Sequence, residues 1–413
     1  MQFLMVSVCL YFFIITMAGW NTKNKEKKGY KPQKRFALIV AAHNEETVIK
    51  NIVENLKSLK YPRDLYDIFV IADNCTDATA KIARDSGALV YERSNKVEIG
   101  KGYALKWMFD KIFELDKKYD AISVFDADNL AASNYLEKMN DMLCNGHKAI
   151  QAYLDCKNPY DSWITLTNSI MYWITNRMFN QSRHNLNMWC TIGGTGFTLD
   201  INVLKQIPWD ATCLAEDLEY TVKLVLKNIR VSWCSETAIY DEKPITFIQS
   251  WNQRKRWMQG HIDVFSRFFL KLFKKGIKEK RLTPIDLAIY NFQPIFIVLT
   301  FFISTIISII SLSIHSYSVK EVIDNALMPT WGMYIIFALL DVFPMFFLYI
   351  LPVLVLLSEK RFNFKIFLGL FLFPIFAATW IPIIILGIIN RNNKEWNHTA
   401  HTRQISINEL EQV

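Results

Sequence analysis

Apolar positions are spread very unevenly along the 413 residues. Met1 to Thr22 contains no charged residue, which is enough for one bilayer crossing, since a crossing takes about 20 apolar residues. Uncharged runs return at Leu287–Ser318, Leu327–Leu340, Val342–Ser358 and Ile366–Asn390, with Asp341 dividing the middle two. The stretch between has ordinary globular patterning. Phe36–Ala42 (FALIVAA), Asp67–Ala72 (DIFVIA), Ala88–Tyr91 and Ala121–Phe125 (AISVF) read as buried strands. Glu45–Lys60, with Val48, Ile52, Val53, Leu56 and Leu59 on one face, Thr76–Ser86 and Lys101–Leu115 read as the intervening helices. This alternation predicts an α/β domain with a mainly parallel sheet, helices on both faces, and ligands at the carboxyl ends of the strands. The expected divisions are an N-terminal crossing (1–22), a catalytic domain (23–246), amphipathic interface helices (247–283), three or four C-terminal crossings (284–390) and a tail (391–413).

Charge refines the membrane reading. Lys23, Lys25, Lys27, Lys28, Lys31, Lys34 and Arg35 follow the first apolar run, whereas a cleaved signal peptide carries its basic residues in front. The cluster places the next domain in the cytoplasm. Net charge +8 with 51% hydrophobic residues therefore points to an anionic membrane surface rather than nucleic acid. Trp257, Ile262, Phe265, Phe269, Leu272 and Phe273, interleaved with Arg267, Lys271, Lys274 and Lys275, predict an amphipathic helix on that surface. Seven cysteines at 9, 75, 144, 156, 190, 213 and 234 show no paired spacing, which fits a reducing compartment and no structural zinc.

Two strands end in acid. Asp73 and Asp77 follow the second, and Asp126 and Asp128 follow the fourth. Carboxylates one residue apart at a strand end can hold a hard divalent cation and leave room for phosphate oxygens. Plain turn chemistry is the alternative, because Asp and Asn also favour loops. Glu216, Asp217 and Glu219 likewise fit an acidic helix N-terminus stabilised by the dipole.

The ordered set FALIVAAHNEE, ADNCTD, GKGYAL, FDADN, GGTGF, AED and QRKRW resembles family 2 glycosyltransferases of the membrane polysaccharide synthase type, which include cellulose, hyaluronan, chitin and poly-N-acetylglucosamine synthases. The resemblance spans residues 36 to about 260. It implies a Rossmann-like nucleotide-sugar-binding catalytic domain of the glycosyltransferase A type. Asp73 then faces the uridine, Lys101 and Arg256 the diphosphate, and Asp126 and Asp128 the nucleotide with Mg²⁺ or Mn²⁺. Asp217 becomes the base that takes the acceptor proton. Gln253 and Trp257 border the acceptor, with Gly194, Thr195 and Gly196 beside it. The family's Asp-Asp-Gly-Ser is Ala72-Asp73-Asn74-Cys75 here, one carboxylate short, and the threonine of Thr-Glu-Asp is Ala215.

WNHTAHTR in the tail loosely resembles a Trp-Gly-Thr-Arg gating segment, which implies that Trp396, Thr402 and Arg403 close over the donor. For that the tail must be cytoplasmic, and Pro374 and Pro382 could bend the last apolar block back to that side. ADNCTD, VYER and GKGYAL look like a Gram-positive branch that makes β-glucan, some of it mixed β-1,3/β-1,4. The expectation is a processive inverting enzyme that polymerises UDP-glucose and exports the chain across the plasma membrane. UDP-N-acetylglucosamine is the runner-up donor. A non-processive transferase to a lipid-linked acceptor and a non-catalytic membrane receptor or transporter are the rivals. No cyclic-dinucleotide sensor in cis is expected, and an accessory subunit is left open.

Overall fold

The computed structural model describes residues 2–21, 29–210, 213–315, 346–393, 403 and 405–411. Eight strands form one sheet in the order β3-β2-β1-β4-β7-β6-β8-β5. They are β1 (Phe36–Ala42), β2 (Tyr66–Asp73), β3 (Leu89–Arg93), β4 (Ala121–Asp126), β5 (Leu130–Ala131), β6 (Ala149–Cys156), β7 (Phe197–Asp200) and β8 (Val231–Asp241). Alternation along β1 explains the two-faced core, because successive side chains point to opposite faces. Phe36, Leu38 and Val40 pack with Ile49, Ile52, Val53 and Leu56 of helix Ile49–Lys57. Ala37 and Ile39 pack with Leu105, Met108, Phe109 and Ile112 of helix Lys101–Glu114. Each large side chain buried this way contributes about 1.5–3 kcal/mol.

The first four strands are parallel, as the alternation predicts. The sheet is mainly parallel as expected, with β6 and β8 also parallel to each other, but two strands, β7 and β5, are reversed and make it mixed. β7 runs antiparallel to both β4 and β6, and β5 runs antiparallel to β8. The cause lies in the connection: after β6 the chain crosses the carboxyl end of the sheet through helix Trp163–Thr175, so it re-enters through Gly193–Gly196 from that end. The reversal puts the glycine turn beside the acidic end of β4.

The expected interface helices are one continuous helix, Phe247–Glu279, opened by a capping box between Thr246 and Gln249. Much of its apolar face meets protein rather than lipid. Val264 and Leu272 pack with Leu218, Val222 and Val225 of helix Glu216–Leu226 and with Leu287 and Ala288. Leu270, Phe273 and Ile277 stay exposed among lysines. Two helices, Leu282–Ile303 and Phe364–Ile389, are long and apolar enough to cross a membrane by length and composition. The N-terminal helix Gln2–Met17 has 16 residues, about 24 Å, and falls short of that length. Leu327–Leu340 lies outside the described residues. The last block is interrupted at Thr379, between Pro374 inside helix Phe364–Ala378 and Pro382 in the first turn of helix Trp380–Ile389.

Buried ion pairs join these helices to the domain. Asp286 is fully buried and accepts from Arg183 Nε at 2.8 Å, Trp189 Nε1 at 2.7 Å and Tyr11 Oη at 2.7 Å. Asp155 on β6 accepts from Trp173 Nε1 at 2.8 Å and from Arg361 Nη2 at 2.5 Å. Removing one partner of such a pair leaves a buried charge, at a cost of about 3–5 kcal/mol.

Candidate active site

A cavity of about 510 Å³ opens at the carboxyl ends of β1, β2, β4 and β6. Its lining takes in Asp73, Lys101, Asp126, Asp128, Gly194, Thr195, Asp217, Gln253, Arg256 and Trp257, residues separated by up to 184 positions in the sequence.

On the sheet side, Asp126 and Asp128 follow β4. Asn129 and Thr195 brace the turn: Asp126 N donates to Asn129 Oδ1 at 3.0 Å and to Thr195 Oγ1 at 3.1 Å, and Thr195 Oγ1 bonds Asn129 Oδ1. Asp128 is 6% exposed, with Oδ2 accepting from Glu242 N at 2.9 Å. Lys101 Nζ bonds Asp126 Oδ1 and donates to the Gly194 carbonyl at 2.8 Å. Burial pulls the Lys101 ammonium down, but the charges of Asp126 and Glu216 more than reverse this, so it stays above its ordinary value. Lys101 is therefore a fixed cation.

Asp73 lines the cavity at the end of β2. Its Oδ1 accepts from Arg93 Nη1 at 2.6 Å and from Asn74 Nδ2 at 3.2 Å, while His43 Nδ1 pairs with its carbonyl at 2.7 Å. Burial raises the Asp73 pKa against the pull of Arg93. Asn74, where the family motif has its second carboxylate, adopts φ 51° and accepts from Asn95 N at 2.8 Å. Asp77 does not reach the cavity. It binds Thr79 N at 3.0 Å and Thr79 Oγ1 at 2.6 Å, and so starts helix Thr79–Asp85.

On the helix side, Glu216 and Asp217 form the first turn of helix Glu216–Leu226, half-buried in the cavity wall. Burial and then the neighbouring Glu216 charge push the Asp217 carboxyl up to about 7. Glu216 is also raised by burial, against Lys101 and Arg256. A carboxylate poised near neutrality is suited to take a proton from a hydroxyl. Arg256 feels the charges of Glu216, Asp126 and Asp217 while burial lowers its own pKa. Its neighbour in the motif, Arg254, leaves the site: it is fully buried, donates to Thr379 Oγ1 at 2.7 Å and lies 4.2 Å from the Phe376 ring centre.

The glycines divide the same way. Gly194 (φ 79°) holds the point where a Cβ would lie 3.4 Å from Asp217 Oδ2. Gly196 does not line the cavity; a Cβ there would lie 2.4 Å from Ile239 Cγ1, so this glycine serves packing. Trp396 and Thr402 lie outside the described residues. Arg403 approaches the site from one side. Its backbone N donates to Glu242 Oε2 at 3.1 Å and its guanidinium binds Asp161 at 2.8 Å, one residue pair away from Asp128.

The sequence reading missed Asp241 and Glu242, a third acidic strand end that the same rule would have found. Asp241 Oδ1 is buried without a hydrogen-bond partner, and the charges of Asp128 and Asp126 raise its carboxyl after burial and Lys243 have acted. This orphaned oxygen beside two carboxylates suits a hard divalent cation. Among the described residues no three His, Cys, Asp or Glu side chains converge to hold an ion alone, so further ligands would come from the substrate diphosphate. Tyr290 and Trp380, from the two long apolar helices, also line the cavity; nothing in the local sequence marks them.

A profile of the family described as "Glycosyltransferase like family 2" matches residues 32–260. A probable glycosyltransferase of Bacillus subtilis strain 168, YdaM, is 24% identical over 380 residues, 88% of this chain and 84% of that protein. The β-monoglucosyldiacylglycerol synthase of Nostoc sp. PCC 7120 is 29% identical over 235 residues, 54% of this chain and 48% of the synthase, so the match spans about half of that relative. The poly-β-1,6-N-acetyl-D-glucosamine synthase of Staphylococcus aureus strain COL is 23% identical over 64% of each chain. In fold, the chain is similar to the mannosyltransferase PcManGT of Pyrobaculum calidifontis, solved with GDP-Man and Mn²⁺. The TM-score is 0.50 at 15% identity, over 84% of this chain and 99% of that one.

Proposed function

Since the chain belongs to glycosyltransferase-like family 2, we propose that it is a membrane-associated, inverting hexosyltransferase that extends a β-linked polysaccharide processively from UDP-glucose and delivers it across the plasma membrane. One observation carries this reading. Lys101, Asp126, Asp217 and Arg256 line a single cavity that is also lined by Trp257 and by Tyr290 and Trp380 from the two apolar helices. The cavity thus offers charged groups for a diphosphate and aromatic faces for sugar rings, and two of those aromatics come from helices apolar enough to cross a membrane.

In the reaction, the acceptor hydroxyl oxygen attacks the anomeric carbon of the donor as the bond from that carbon to the diphosphate oxygen breaks. Asp217 takes the hydroxyl proton, and UDP departs with the bond's electron pair. Lys101 and Arg256 stand where that negative charge develops, the arrangement that stabilises such a transition state most. Mg²⁺ or Mn²⁺, held by Asp126 and Asp128, would supply further charge neutralisation. Attack opposite the leaving group makes the new linkage β. Trp257 offers a flat apolar face for the acceptor sugar, with Gln253 and Thr195 at its edge. Arg403 belongs to a tail segment that closes over the donor once it is bound.

The β-monoglucosyldiacylglycerol synthases favour a second reading, in which glucose is transferred once to a membrane lipid. Membranes containing the protein, incubated in turn with UDP-glucose and UDP-N-acetylglucosamine, separate the two. The proposal expects a polymer from UDP-glucose that linkage-specific glucanases digest. A solvent-extractable glucolipid, or polymer from UDP-N-acetylglucosamine alone, overturns it.

A further inference from the structure

Three carboxylates stand near the start of helix Glu216–Leu226, and they do not share one fate. Glu216 and Asp217 reach the cavity, whereas Glu219 is 1% exposed and turns away from it. Its two oxygens accept from Arg267 Nη1 at 3.2 Å and Nη2 at 2.8 Å, a forked pair, and Lys223 Nζ lies 2.9 Å from Oε1. Forked arginine–carboxylate pairs fix orientation as well as distance. Burial opposes the Glu219 charge, yet Arg267 and Lys223 bring its carboxyl down to about 2. The pair is thus intact across the working pH range. Arg267 is also held by Asp263 at 3.0 Å, one turn earlier on its own helix.

Arg267 belongs to the helix that carries Gln253, Arg256 and Trp257. A second contact joins that helix to the same turn from the other side. At Gly260 a Cβ would lie 2.5 Å from Ala215 N and 2.6 Å from Ala215 Cβ, so the helix backbone touches the residue before Glu216 directly. Asp217 therefore sits between two points of attachment, Ala215 on Gly260 and Glu219 on Arg267. Both lead to the helix that bears Trp257, and neither leads to the β4 end that bears Asp126 and Asp128 or to the helix that starts at Lys101.

We propose that Glu219 and Arg267 are positioning residues that hold the Asp217 carboxylate at a fixed offset from Trp257, so that base and acceptor sugar are registered to one helix. This rests on Asp217 being the base and Trp257 the acceptor platform. Reactions of this kind are sensitive to displacements of about 1 Å, which cost on the order of a hundredfold in rate. Loosening the pair should lower turnover and leave the donor half of the site untouched.

The test uses the full-length protein in detergent, with Glu219→Gln, Arg267→Lys and Gly260→Ala. Arg267→Lys keeps the charge and loses the fork, and Gly260→Ala disturbs the second attachment. UDP affinity with Mn²⁺, UDP release from UDP-glucose, and amide hydrogen exchange are measured on each. Expected are a tenfold to hundredfold fall in kcat for Glu219→Gln, with KM for UDP-glucose and Kd for UDP within twofold of wild type. Arg267→Lys should recover part of the loss. Amide exchange should speed up across 215–221 and stay unchanged across 124–129. Wild-type kcat in the variants, or UDP affinity falling in step with kcat, overturns the proposal. If the wild type turns over no UDP-glucose, the donor assignment fails, and the exchange contrast decides the positioning role by itself: unchanged exchange across 215–221 in every folded variant overturns it.

Discussion

The two halves of the cavity are held in place by different means. Asp73, Asp126 and Asp128 follow strands whose positions are set by a continuous ladder of backbone hydrogen bonds to β1. Asp217, Gln253, Arg256 and Trp257 ride on helices, which meet each other through side chains such as the Glu219–Arg267 fork. A ladder distributes any local loss over many bonds, whereas a side-chain attachment fails with a single substitution. Donor binding and turnover should thus be separable by mutation, and the sheet half should be the sturdier of the two.

The largest effect that tests this contrast comes from paired substitutions. Asp217→Asn removes the proposed base and should slow UDP release by about 10²–10⁴-fold, with UDP affinity in the presence of Mn²⁺ unchanged. Asp128→Asn, a near-isosteric change on the other half, should weaken UDP binding by roughly tenfold or more, since about 1.4 kcal/mol of lost attraction is one decade. Titration with UDP beside a coupled UDP-release assay reads both. If Asp217→Asn loses UDP affinity as Asp128→Asn does, the division into halves is wrong.

The next effect is in pH. The Asp217 carboxyl is lifted to about 7 by burial and by Glu216, and only its ionised form accepts a proton. Activity should fall tenfold for each pH unit below about 7 and level off above it. The limb should be absent from the residual rate of Asp217→Asn. Lys101 keeps its proton throughout this range, because Asp126 and Glu216 raise it, so no second limb from that group is expected near neutrality.

Trp257→Ala should be smaller, roughly tenfold in the rate of chain extension, the scale of one lost aromatic contact of about 1.5 kcal/mol. UDP affinity should be intact. Product length on a sizing column is the sensitive measurement, because in the proposed polymerase extension competes with release at every added sugar.

The contrast between halves also explains what the sequence could tell. The strand ends were legible because DIFVIA and AISVF announce buried strands, and an acid directly after each can lie only at the carboxyl edge. Asp77, which also follows the second strand, took the turn alternative instead, reaching two residues on to Thr79. The mixed sheet was not legible: β7 is four residues long, and its direction depends on a helical crossing rather than on its own pattern. The apolar stripe at Ile262 to Phe273 was correctly periodic but assigned to lipid, when much of it meets Val222, Val225 and Leu287. Periodicity reports that a face is covered, not by what. Glu219 was seen only as part of an acidic helix start, since its partner lies 48 residues away.

The smallest effects separate two glycines one residue apart. Gly194 and Gly196 both hold positive φ, 79° and 63°, so alanine strains the backbone at either. They differ in what a methyl group would meet. At position 196 it would overlap Ile239 Cγ1, inside the sheet and away from the cavity. Gly196→Ala should therefore cost about 1–3 kcal/mol of stability, seen as a lower Tm, with normal kcat in the molecules that remain folded. At position 194 the methyl would make an ordinary contact with Asp217 Oδ2, and the adjoining carbonyl is the one that Lys101 binds. Gly194→Ala should lose less Tm and more kcat, because its added atom lies where Lys101, at the start of its own helix beside the sheet, and the proposed base Asp217 come together. Equal loss of kcat per folded molecule in both variants would mean that the turn acts as one strained unit rather than as a boundary between the two halves.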